Sequence, residues 1–109
     1  MINPDDIYQE IAAHKATIAM GTVLRNLEAH KGFQELILDG YLNKEALRLV
    51  CRLGEAGIAS EERAEIQRKL DSIGVFANYL RTVKLNAEIS QNSLPESEAV
   101  FAELHSERL

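Results

Sequence analysis

The chain has one cysteine, two prolines and no tryptophan in 109 residues, with only three phenylalanines and three tyrosines. Each scarcity excludes something. A single Cys51 forbids an internal disulfide and a cysteine-rich metal site. Lying in an apolar helical run, it is expected as a small buried hydrophobe. Thin aromatic content leaves Leu, Ile and Ala to fill the interior, which favours helix on helix over a sheet sandwich. No apolar run approaches the roughly 20 residues of a membrane span, and no basic start precedes an apolar core as in a signal peptide. The expectation is a protein that is not secreted, has no membrane partner and is soluble in the cytoplasm when made.

Reactive constellations are missing as well. The six glycines are scattered, and none follows a strand pattern as a phosphate-binding loop requires. His14, His30 and His105 are too far apart for an HxxxH unit. Glu10 and His14 stand four apart on one helix, as two metal ligands could, but the pair is incomplete and reads as a surface pair. The acid pairs Asp5/Asp6 and Glu61/Glu62 lie in first helical turns, where the macrodipole favours them without any catalytic duty. Ser60 and Ser93 read as helix caps before nucleophiles. Tyr41 and Tyr79, with Arg81 nearby, read as core edges before base-stacking platforms. No catalytic residue, cofactor, metal or small-molecule substrate is expected, and the chain reads as no enzyme.

What is present is helix. Apolar residues make up 46 % and charged residues 27 %, ordinary for a folded soluble domain, and 109 residues suit a single domain, 1–109. Asn3-Pro4-Asp5-Asp6 opens a helix by N-cap, first-position proline and dipole-matched acids. It is expected to run to about His30, with a slip at His14-Lys15 and a weak point at Gly21, and to close on a left-handed Gly32. The densest apolar stretch is Phe33 to Leu53, with a hinge expected at Asp39-Gly40 and a fresh cap at Asn43, after which Leu42, Ala46, Leu49, Val50 and Leu53 are expected along the buried side. Gly54 to Ala59 is a linker. From Ser60 a helix with coiled-coil-like spacing through Ile66, Leu70, Ile73, Ala77 and Leu80 is expected to end near Ile89. Gln91-Asn92-Ser93 reads as a break, and Ser93 with Glu96 and Pro95 as the start of a short acidic terminal helix, 93–109. Its stripe of Val100, Phe101 and Leu104 must dock, on its own domain or on a partner. The expected fold is all-α, a bundle of four to five helices. Its expected core is Leu24, Leu27, Phe33, Leu36, Ile37, Leu47, Val50, Ile66, Leu70, Ile73, Phe76 and Leu80.

The net charge of −5 opposes generic binding to nucleic-acid phosphates. It is uneven: residues 1–43 hold three basic and six acidic groups, 44–84 eight and six, 85–109 one and five. Lys44, Arg48 and Arg52 form the one basic stripe, a candidate weak contact to DNA. Three classes of function remain. One is a non-enzymatic assembly module acting as a homo-oligomer or on a partner protein. The second is a small helix-turn-helix-like DNA-associated regulator, with an acidic adaptor or inhibitor of a host protein as a third.

Residues 33–50, FQELILDGYLNKEALRLV, and 72–83, SIGVFANYLRTV, resemble small helical proteins of tailed bacteriophages from the head-assembly and DNA-packaging gene group. The likeness rests on apolar spacing with the Asp39-Gly40-Tyr41 and Ile73-Gly74 combinations, across the middle half of the chain. It implies a virion or packaging role, with a phage structural protein as partner, in the host cytoplasm and then the virion. It carries over no site residues.

Overall fold

The computed structural model describes residues 3–107, and these are all-α, with no strand among them. Helix α1 (Pro4–Ala29) opens as its first residues dictate. Asn3 Oδ1 accepts the Asp5 N–H at 3.0 Å, and the Asn3 carbonyl accepts those of Asp6 and Ile7. Its end differs from expectation. His30 takes an extended backbone (φ −79°, ψ 124°), and its Nδ1 accepts the N–H groups of Gly32 and Phe33 at 3.1 and 3.4 Å. His30 therefore caps the next helix. Gly32 is helical instead of left-handed, because the imidazole has already made the break.

Helix α2 (Lys31–Phe33) passes into a π-helical stretch, Gln34–Glu45, and then into α3 (Ala46–Leu53) without interruption. The expected hinge at Asp39-Gly40 and cap at Asn43 do not occur. Gly40 instead permits a wide turn: a Cβ there would sit 3.0 Å from the Glu35 carbonyl oxygen. Not every expected core position turns inward. Leu27, Leu36, Leu47 and Val50 are 44, 71, 61 and 53 % exposed, and Cys51 is exposed as well, so none of these five is core. Leu42, Ala46, Leu49 and Leu53 do pack inward, as expected from their steps of four, three and four, and Leu47 and Val50 flank that face. The linker is as expected, with Gly57 at φ 78°.

Helix α4 (Ser60–Glu107) runs unbroken for 48 residues. The Ala59 carbonyl accepts the Arg63 N–H, so Ala59, not Ser60, is the capping residue. The break at 91–93 and the separate terminal helix are both absent, and Pro95 lies within the helix; residues 108–109 fall outside the described residues. Three continuous helical rods therefore replace the expected four or five helices.

The chain divides into two compact units. In the unit made by residues 26–81, Leu49, Ile66 and Ile73 are buried, with Leu42, Ala46, Leu53, Ile58 and Leu70 packed around them. Tyr41 meets Phe76 edge-on, ring centroids 6.0 Å apart. In the unit made by residues 3–25 and 82–107, α1 and α4 pack antiparallel: Tyr8 meets Phe101, His14 meets Ser90, and Gly21 meets Ala87. Inward positions step by three and four: Ile7, Ile11, His14, Ile18 and Gly21 on α1, Ala87, Ser90, Leu94, Ser97, Phe101 and Leu104 on α4. This repeat explains why the capping signal at Ser93 loses. Ending the helix there would forfeit the register that buries Ser97 and seats Phe101.

Gly21 is thus a contact and not a weak point, since a Cβ built on it falls 2.3 Å from that of Ala87. Gly21→Ala gains about 1 kcal/mol of helix propensity but overpacks a rigid neighbour at a cost of about 1–3 kcal/mol. The expected result is a lower melting midpoint, restored in the Gly21→Ala/Ala87→Gly double variant. Pro95 leaves the Gln91 carbonyl without its helical N–H partner, so Pro95→Ala is expected to stabilise the fold, by up to about 3 kcal/mol. A midpoint that falls in thermal melts would mean that α4 is broken at this position.

Candidate functional site

The basic stripe lies in the unit of residues 26–81, and its members meet different surroundings. Lys44 ends the π-helical stretch, exposed and without an ion-pair partner among the described residues. Arg48 donates Nε–H to Glu45 Oε2 at 3.0 Å and a second N–H to the other oxygen, a two-pronged pair within one turn. Arg52 donates to Glu62 across to α4 at 2.9 Å and also to Glu55. Hydrogen bonding to these carboxylates raises both guanidinium pKa values, and the bond from Arg48 lowers that of Glu45. Two of the three stripe cations are therefore neutralised inside the chain. Between them and Lys69 lies a shallow cleft of about 160 Å³ floored by Leu49 and Ile66 and bordered by Glu62 and Glu65. Such mixed charge lends itself to pinning α3 onto α4 better than to gripping a polyanion.

The second constellation was half visible in the sequence. Glu10 Oε1 stands 3.8 Å from His14 Nε2, too far for a hydrogen bond. The other ring nitrogen, Nδ1, lies 3.0 Å from Ser90 Oγ on α4. Nε2 is buried and makes no hydrogen bond. Serine, histidine and carboxylate thus stand in the order of a hydrolytic triad, but Ser90 is only 6 % exposed and sits mid-helix. Its neighbouring N–H groups belong to the helical ladder, so no pair of free donors faces an oxyanion position. What this geometry supplies is a polar layer inside an apolar seam, which fixes register. Among the described residues no three His, Cys, Asp or Glu side chains gather as a metal site. Ser90 escaped the sequence reading because it adjoins the supposed break. Its spacing from Ala87, Leu94 and Ser97 was the available signal.

The terminal stripe lies on α4. Val100, Phe101 and Leu104 are half-buried, and Phe101 approaches Tyr8 of α1 at 6.3 Å between ring centroids. Part of this face is therefore occupied by the chain itself. Tyr79 is 57 % exposed, and Arg81 donates to Asn78 at 3.3 Å. No described helix is long and apolar enough to cross a membrane.

Ser90→Ala removes the hydrogen-bond partner of a part-buried imidazole and is expected to cost about 1 kcal/mol, or up to about 3. A double-mutant cycle with His14→Ala should show coupling, and additivity would mean the bond contributes nothing. Glu45 offers a pH test. Its lowered pKa means that the folded state favours the carboxylate, so its contribution is full above the ordinary carboxylate range and is lost as pH falls through the lowered value. Carboxyl NMR titration should find Glu45 below the usual carboxylate range, and Arg48→Gln should raise it toward that range.

Comparison of the chain with protein-family models, with curated proteins and with solved structures finds no match.

Proposed function

We infer that this is a non-enzymatic helical assembly protein that acts by association, as a homo-oligomer or on a structural partner. The observation that carries this reading is a second apolar stripe on α1. Met20 and Val23, at i and i+3, are 49 and 51 % exposed on a side turned away from Gly21 and Ile18, and Leu27, in the unit of residues 26–81, is 44 % exposed. Scattered apolar residues at a surface mean little, but helical spacing makes them a face. On α4, Val75 and Tyr79, then Leu85 and Ile89, are similarly exposed at i, i+4 spacing. No large side chain among the described residues is fully buried. Both units therefore leave apolar surface that a partner helix can cover.

The resemblance of residues 33–50 and 72–83 to small tailed-phage proteins supports placing this association in head assembly or DNA packaging, in the host cytoplasm and then the virion. A DNA-associated role has less support, since Arg48 and Arg52 spend their charge on Glu45, Glu55 and Glu62.

Sedimentation over a wide concentration range tests the reading. The wild-type chain is expected to associate, and Val23→Glu with Ile89→Glu to abolish association while leaving the circular dichroism spectrum unchanged. A wild-type chain that stays monomeric throughout, and binds no phage structural protein, would falsify it.

A further inference from the structure

Where the start of α1 meets the end of α4, Pro4, Asp5, Tyr8, Phe101 and His105 line an open cleft of about 310 Å³. Its walls are chemically particular. The Tyr8 and Phe101 rings are inclined at 48°, and the His105 ring lies parallel to Phe101 within 8°, centroids 6.2 Å apart. Asp5, an exposed acidic residue, also lines the cleft. Tyr8 is 64 % exposed, a large aromatic held at the surface although the seam lies one residue away at Ile7. We propose that this cleft binds a cationic side chain, an arginine presented by a segment of a partner protein.

Three features converge on that occupant. Aromatic faces attract a cation through the ring quadrupole, and a guanidinium plane stacks on them. A carboxylate at the cleft edge matches the guanidinium fork. The surroundings are strongly acidic: residues 3–10 and 96–107 carry seven carboxylates, and Arg108 is the one lysine or arginine adjoining them in the sequence. The positive end of α1 opposes a cation, but Asn3, Asp5 and Asp6 already answer it. The last turn of α4 presents carbonyl groups, which favour one. An anion would face seven like charges, and an apolar side chain would leave Asp5 without a gain. The cleft volume is at the small end of ligand pockets (about 300–1,000 Å³), suited to one side chain and not to a folded surface. The cleft is separate from Met20 and Val23, so its occupancy does not require self-association.

The test is NMR titration of the full chain with N-acetyl-arginine amide and, in parallel, with its neutral citrulline counterpart. The expected result is saturable movement of the Tyr8, Phe101 and His105 ring resonances with the arginine compound, at least fivefold weaker with citrulline. Asp5→Asn and Tyr8→Leu, both at exposed positions, should each weaken binding threefold or more while the spectrum elsewhere stays unchanged. Equal response to citrulline, or no saturable movement, overturns the proposal. So do ring resonances that move with protein concentration alone, which would make a second copy the occupant. Sedimentation of the same samples reads association independently, so either idea can fail without the other.

Discussion

The approach of α1 to α4 at Gly21 and Ala87 sets how closely the two helices of the first unit run. With no side chain on one and a methyl on the other, the backbones come nearer than larger residues permit. Everything along that seam inherits the distance. Ser90 can reach His14 only because the helices are close, and Ser97 is buried because a small polar side chain fits the space. The same closeness leaves little volume for large side chains, so the apolar residues on the flanks of both helices remain at the surface.

That trade connects packing to association. A close pair built on small residues buries modest apolar area per residue, and the chain's many Leu, Ile and Val side chains exceed what its own seams can cover. Met20 and Val23 on α1 and Leu85 and Ile89 on α4 are the surplus in one unit; Leu36, Leu47 and Val50 are the surplus in the other. The charges behave differently. Arg48, Arg52 and Lys69 find carboxylates within their own chain, so the cationic middle is compensated while the acidic residues near the two ends are left to face outward.

Several features were legible from residues alone. The helical class followed from composition and spacing, the start of α1 from Asn3 and Pro4, the linker from Gly54 and Gly57, and the inward positions Leu24, Ile66 and Ile73 from periodicity. Cys51 shows where this stops. It was expected inside because it lies in an apolar run, but two residues on from the buried Leu49 it faces the other side of α3. The candidate sites divide similarly. Glu10 and His14 were paired by their spacing, but Ser90 lies 76 residues away, and no local pattern announces such a partner.

By itself, the order of residues determined where helices begin and which faces are apolar, because capping and periodicity act over a few residues. Only the tertiary structure decided whether the signals at Gly40 and Ser93–Pro95 end a helix. Local preferences there amount to a few kcal/mol at most, and packing along a long seam offsets them. The same holds for the cleft of Tyr8, Phe101 and Asp5, whose residues become neighbours only when the first and last turns of the chain are brought side by side.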